Sequence, residues 1–205
     1  MTRLSSLNIK LFNILIMQAI ILAGGLGTRL GNLVKDTPKP FLNVNNSPFI
    51  LKIVERLVKQ GIKKIIFCLG YKPQKIIKFF GDGSKWGIKI TYILENKLMG
   101  TAGAIRGAYK KITELSVIVL NGDSFCYFNI PKQFRQHSQN NADITISVLS
   151  KNNTKRYGVI SFDKNLKIKN FAEKSVSFKK KKNYINVGVY IINKNLIKKI
   201  NVSKP

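Results

Sequence analysis

Residues 17–30 read Met-Gln-Ala-Ile-Ile-Leu-Ala-Gly-Gly-Leu-Gly-Thr-Arg-Leu. After Gln18 the run is apolar as far as Ala23 and reads as a buried strand. It passes directly into Gly24, Gly25 and Gly27 and then reaches Arg29. Glycine has no Cβ, so successive backbone N–H groups can close on a phosphate. The guanidinium adds a fixed, forked positive charge suited to phosphate oxygens. A strand, a glycine loop and an arginine in this order imply that the chain handles a nucleotide.

Three loops of this kind can be told apart. A dinucleotide-binding fingerprint needs G-x-G-x-x-G. Gly25 and Gly27 fit it, but Leu30 stands where the third glycine belongs. The second strand runs out in Cys68-Leu69-Gly70-Tyr71, with no acid to hold a ribose. A P-loop needs G-x-x-x-x-G-K-[ST], which the sequence does not contain. What remains is Gly-Gly-x-Gly-Thr-Arg-Leu, followed by Pro38-Lys39-Pro40. The prolines predict a stiff, extended segment from which Lys39 points at the phosphates.

Outward from the loop, strand-like and helix-like segments alternate. Strands are expected at 18–23, 64–69, 88–94, 116–120, 143–149, 158–162 and 183–192, and helices at 48–60, 73–80, 102–111, 131–139 and 194–200. That alternation predicts a Rossmann-like, three-layer α/β/α fold with a mostly parallel, mixed sheet. Ile50, Ile53, Val54, Leu57 and Val58 recur at helical spacing and form a core face. Gly61 is expected to end that helix, and Gly81-Asp82-Gly83 to form a turn. Neither an internal repeat nor a flexible linker is visible.

The 205 residues suit one domain with a real core. Residues 1–16 are read as an N-terminal extension outside the fold, and 17–205 as the domain. The apolar run 11–23 follows Arg3 and Lys10 and has the look of a signal peptide, but cleavage there would remove the first strand. It is also too short for a membrane span. Two cysteines make no disulfide framework, and Cys68, in an apolar run, reads as a reduced, buried thiol of a cytoplasmic protein. The single histidine, His137, lies in a polar stretch, which argues against a histidine-held metal or a histidine-dependent triad.

The net charge of +27 comes from 36 basic and 9 acidic residues. Scattered lysines, abundant Asn and Ile, and the lack of a nucleic-acid motif favour compositional drift over a nucleic-acid partner. The dense run 179–182 reads as a solvated loop. A positive field still draws in small polyanions.

Several separated motifs together carry a resemblance over residues 17–200. They are the 24–30 loop, Thr37-Pro38-Lys39-Pro40, Leu98-Met99-Gly100-Thr101-Ala102-Gly103-Ala104, Leu120-Asn121-Gly122-Asp123, Tyr157-Gly158, Glu173-Lys174 and Ile185-Asn186-Val187-Gly188. In this order and spacing the chain resembles the sugar-1-phosphate nucleotidylyltransferases (NDP-sugar pyrophosphorylases). Phe80-Gly81-Asp82-Gly83 leading to Gly87-Ile88-Lys89-Ile90, the Leu-Asn-Gly-Asp-Ser-Phe stretch and Arg156-Tyr157-Gly158 are similar to D-glycero-D-manno-heptose 1-phosphate guanylyltransferases.

The resemblance implies a reaction. The sugar 1-phosphate oxygen attacks the α-phosphorus of an NTP, here GTP, and pyrophosphate leaves without a covalent enzyme intermediate. The protein's work is alignment and charge neutralisation. Leu22, Ala23, Gly24, Gly25, Gly27 and Thr28 are then nucleotide-binding. Arg29 offsets charge on the departing pyrophosphate and Lys39 reaches the α-phosphate. Asp123 follows the apolar run 117–120 and so stands at the carboxyl end of a strand, where α/β folds bind ligands. The resemblance gives it Mg²⁺. Glu95 faces the base, where a carboxylate can accept from guanine's ring N–H and amino group together. Gly100 and Thr101 let backbone approach the base or ribose. Gly158, Glu173, Lys174 and Asn186 bind the sugar phosphate, with Lys174 on its phosphate and Glu173 and Asn186 on hydroxyls.

One departure stands out. The family supplies a second metal-binding aspartate from a late segment, yet no aspartate follows Asp163 before Pro205. The expectation is a domain truncated at its C-terminus, the alternative being a metal held by Asp123 with water. Mannose- and glucose-1-phosphate enzymes, and a non-catalytic nucleotide-sugar-binding regulator of the same fold, are the competing readings. No membrane partner is expected, and a homo-oligomer is left open.

Overall fold

The strand that feeds the glycine loop, β1 (Gln18–Ala23), lies inside an eight-stranded mixed sheet in a computed structural model, which describes residues 17–154, 157–172 and 183–201. A 3₁₀ segment (Thr28–Val34) and a 3₁₀ turn (Lys39–Phe41) follow it. Next comes a small hairpin of β2 (Asn43–Val44) and β3 (Ser47–Pro48). Asn45 and Asn46 turn it, with φ of 51° and 62°. That is the paired left-handed turn which two-residue hairpins favour.

The chain continues through α1 (Phe49–Lys59), β4 (Lys64–Leu69), α2 (Gln74–Phe80), β5 (Lys89–Leu94) and α3 (Gly100–Gly107). It then forms β6 (Ser116–Asn121), α4 (Ile130–Gln139), β7 (Ile144–Ser150), β8 (Val159–Phe162), β9 (Ile168–Ala172), β10 (Tyr184–Asn193) and α5 (Lys194–Lys198).

The strand order is β5-β4-β1-β6-β10-β8-β9, with β7 on β10. The first four are parallel, and β10 runs antiparallel to β6, β7 and β8. From β1 the chain builds outward to β4 and β5, then returns to add β6 on the other side of β1. A reversal of strand order opens a crevice at the carboxyl ends of the parallel strands.

Alternation along the strands divides the core in two. Ala19, Ile21, Ile65, Phe67, Leu69, Ile118 and Leu120 pack beneath α1, α2 and the start of α4. Ile20, Ile66, Cys68, Val117 and Val119 face α3 and α5. These strands are buried on both faces, which is why they read as unbroken apolar runs. Each fully buried isoleucine contributes about 2 kcal/mol. Of the expected apolar face of α1, Ile50, Ile53, Val54 and Leu57 are buried and Val58 is half-buried. Gly61 takes φ 89° just past the helix, as its place predicts.

The expectations need three corrections. Residues 38–40 are not extended throughout: Pro38 is, but Lys39–Phe41 form a 3₁₀ turn. Pro40 sits in its first positions, where a missing N–H costs nothing. Helix 102–111 is instead α3, beginning at Gly100, and a separate 3₁₀ turn at Tyr109–Lys111. β9 was not anticipated, because four of its five residues are exposed and only pairing with β8 makes it a strand. His137 is buried, at 3% exposure, despite its polar neighbours in sequence. Its ring nitrogens meet Thr145 Oγ1 (2.8 Å) and Asn193 Oδ1 (3.0 Å), which links α4 to β7 and the end of β10. Residues 1–16, Arg156, Glu173, Lys174 and the run 179–182 lie outside the described residues.

Candidate functional site

The carboxyl ends of β1, β4, β5 and β6 border a cleft of about 650 Å³. The strands contribute through their last residues and the loops that leave them, β4 through Cys68 within the strand alone. β1 gives Leu22, Ala23, Gly24, Gly25, Gly27 and Thr28; β5 gives Glu95 and, beyond it, Gly100 and Thr101; β6 gives Asn121 and Asp123. Lys39 enters from the 3₁₀ turn. Eleven residues singled out in the sequence thus line one cleft: Leu22, Ala23, Gly24, Gly25, Gly27, Thr28, Lys39, Glu95, Gly100, Thr101 and Asp123. The backbone of Arg29 lies in the 3₁₀ segment directly after Gly27.

Lys39 Nζ donates to Asp123 Oδ2 at 2.6 Å across 84 residues of sequence. Both side chains are a little over a third exposed, at 37% and 38%, so the pair adds little to stability. Its consequence is placement. An ammonium and a carboxylate share one wall of the cleft, and Ser124 Oγ donates to the other carboxylate oxygen at 3.2 Å. Among the described residues no group of three or more His, Cys, Asp or Glu side chains is close enough to enclose a metal ion. A hard cation here would rest on the single Asp123 carboxylate and on oxygens that a ligand brings, a donor set that suits Mg²⁺.

Glu95 is fixed through its backbone, whose N–H donates to Leu69 O at 2.8 Å. Its carboxyl lies against Gly24, where a Cβ would overlap Glu95 Oε2. That overlap is a steric reason for glycine at the start of the loop. Glu95 Oε1 is buried with no hydrogen-bond partner among the described residues. Burial holds its pKa above the ordinary value. A buried, unpartnered acceptor at a cleft wall is a group awaiting a donor. Burial, then the charge of Glu95, pushes the neighbouring Cys68 thiol up to about 12, so it stays a thiol.

Gly158 and Asn186 are not part of this lining. Asn186 N–H donates to Gly158 O at 2.9 Å, which joins β10 to the residue before β8. The Asn186 side chain is engaged within its own strand: it accepts from Gly188 N–H at 2.9 Å and donates to Tyr190 Oη at 2.6 Å. It thereby spans the irregularity where the register of β10 against β7 shifts. Gly188 has φ 74°, and a Cβ there would lie 2.5 Å from Asn121 Nδ2. Asn121, which lines the cleft, therefore also fills the notch in β10. It was quoted in a motif but not singled out for a role. Leu30, Pro40, Cys68, Leu98 and Ala104 complete the lining; all but Cys68 stand in the quoted motifs, and none was given a site role.

Residues 18–205 match a family model described as Nucleotidyl transferase. A D-glycero-alpha-D-manno-heptose 1-phosphate guanylyltransferase of Aneurinibacillus thermoaerophilus is 39% identical over 178 residues, which span 87% of this chain and 75% of that protein. A mannose-1-phosphate guanyltransferase of Yarrowia lipolytica is 35% identical over 185 residues, 88% of this chain and 50% of its own length. Among solved structures, HddC from Yersinia pseudotuberculosis complexed with GMP-PN aligns with a TM-score of 0.79 at 34% identity, covering 92% of this chain and 82% of that one.

Proposed function

The chain belongs to the nucleotidyl transferase family, and we propose that it transfers GMP from GTP to D-glycero-D-manno-heptose 1-phosphate, releasing pyrophosphate. The observation that carries this reading is the convergence of the glycine loop, Lys39, Asp123 and Glu95 on one cleft. The relative that acts on heptose 1-phosphate and the neighbour complexed with a guanine nucleotide analogue support the choice of sugar and base.

In this reading Glu95 takes the guanine edge. Its unpartnered acceptor complements the paired donors of guanine, which uracil and thymine lack. Gly100 and Thr101 border the base and ribose. Gly24, Gly25 and Gly27 seat the phosphates, with Leu22, Ala23 and Thr28 closing the cradle. Arg29 balances charge on the leaving pyrophosphate, and Lys39 turns from Asp123 to the α-phosphate. Asp123 would hold Mg²⁺, which when bound neutralises phosphate charge. Gly158, Glu173, Lys174 and Asn186 would receive the sugar phosphate. The nucleophile is already an oxyanion, so no protein base is needed and the gain comes from alignment and electrostatics.

Among the described residues no helix is long and apolar enough to cross a membrane. In this reading the enzyme works in the cytoplasm and feeds cell-surface polysaccharide synthesis. The 35% identical relative that acts on mannose 1-phosphate makes that sugar the second reading. A pyrophosphate-release screen crossing four nucleoside triphosphates with a panel of sugar 1-phosphates tests both. GTP with heptose phosphate should give the highest kcat/KM. Faster release with GTP and mannose phosphate selects the second reading, and no release with any pair rejects the transferase.

A further inference from the structure

We propose that Tyr71, Lys72 and Lys75 are positioning residues, a clamp that holds the Lys39 turn opposite the glycine loop. The inference rests on the transferase reading above, because it concerns the phosphate half of that cleft.

The Lys39 turn needs external support. It lies in the stretch between the 3₁₀ segment Thr28–Val34 and the small hairpin, outside the main sheet. Tyr71 and Lys72, from the connection between β4 and α2, and Lys75, in the first turn of α2, reach the segment 35–37 that leads into it. Tyr71 Oη donates to Lys35 O at 2.8 Å. Lys72 Nζ donates to the same carbonyl at 2.6 Å and to Asp36 Oδ1 at 2.9 Å. Lys75 Nζ donates to Thr37 Oγ1 at 2.8 Å. Behind them, Phe41 sets its ring edge-on to Phe79 of α2, with centroids 5.4 Å apart.

The same connection grips the glycine loop. Tyr71 N–H donates to Gly24 O at 3.3 Å. A Cβ on Gly70 would lie 2.7 Å from that carbonyl, so only bare backbone allows the approach. Tyr71 thus ties Gly24 through its amide and Lys35 through its hydroxyl, linking the glycine loop to the segment that leads into the Lys39 turn. Lys72 makes its two bonds from a left-handed backbone, φ 46°, a conformation unusual for a residue with a side chain. None of the three has a place in the chemistry; each acts through Lys39 or Gly24.

Binding of GTP and of guanosine, which lacks every phosphate, to the full chain separates positioning from folding. Tyr71→Phe removes one hydroxyl, and Lys72→Met keeps the stem while losing the donor. The double variant should bind GTP about tenfold more weakly, with guanosine affinity and thermal midpoint unchanged. Lys72→Arg, which retains donors for Lys35 O and Asp36, should restore GTP affinity to the single-variant background. Unchanged GTP affinity in the double variant overturns the clamp, as does an equal loss of GTP and guanosine. A wild-type chain that binds neither ligand overturns the transferase reading itself, and the clamp with it.

Discussion

The two halves of the sheet differ in how they make a site. On the β5-β4-β1-β6 side, four parallel strands end side by side, and the exit loops of β1, β5 and β6 deliver their residues to a common cleft. On the β10-β8-β9 side the strands are antiparallel, so neighbouring ends point in opposite directions. There Gly158 and Asn186 meet through a backbone bond, and the Asn186 side chain is occupied within its own strand. Parallel topology gathers functional loops without special side chains. An antiparallel region gathers them only through local irregularities, here the notch at Gly188 that receives Asn121.

The largest test of this contrast removes the Asp123 carboxylate. Asp123→Asn keeps size but loses the hard anion, and should lower turnover about 10³-fold with the fold intact. Steady-state pyrophosphate release, with circular dichroism as control, reads it. Arg29→Ala should cost about 10²-fold in the same assay; near-wild-type turnover would refute its role.

Gly188→Ala attacks the seam between the halves. It combines a left-handed φ of 74° with a contact on Asn121, and should cost about 2 kcal/mol or more. Chemical denaturation measures that loss. A further fall in nucleotide affinity would show that the seam couples the two regions.

Glu95→Gln should narrow the preference for GTP over UTP about tenfold, read as a ratio of kcat/KM. A pH dependence accompanies it. Burial raises the Glu95 pKa, so the carboxylate is lost on acidification earlier than an ordinary glutamate would be. GTP affinity should fall as pH drops through that raised value, and in Glu95→Gln this fall should vanish. The sign for folding is opposite: the neutral acid's contribution is present at low pH and is lost as pH rises through the same value.

Asn186→Ala is the smallest and sharpest comparison. Losing its two strand contacts should cost about 1 kcal/mol and leave GTP binding unchanged. A raised KM for the sugar phosphate would give the antiparallel half its expected role, and an unchanged KM would leave Asn186 structural.

Much of the parallel half was legible in sequence because burial on both faces leaves an unbroken apolar run. The expected bounds of β1 and β4 match the structure. The exposed β9 carries no such run, and only its hairpin pairing with β8 makes it a strand. His137 shows the same limit. Its Gln and Ser neighbours in sequence say nothing of its burial, which the packing of α4 against β7 and β10 decides.

The sequence by itself determined the α/β class, the glycine loop and the chemical types that serve it, because strand burial and phosphate-binding backbone are local properties. Only the tertiary structure decided that Lys39 meets Asp123, that Glu95 abuts Gly24 with an acceptor left free, and that Asn121 seats in the notch of β10. Those contacts join segments far apart along the chain, and their geometry follows from strand order, which no local pattern encodes.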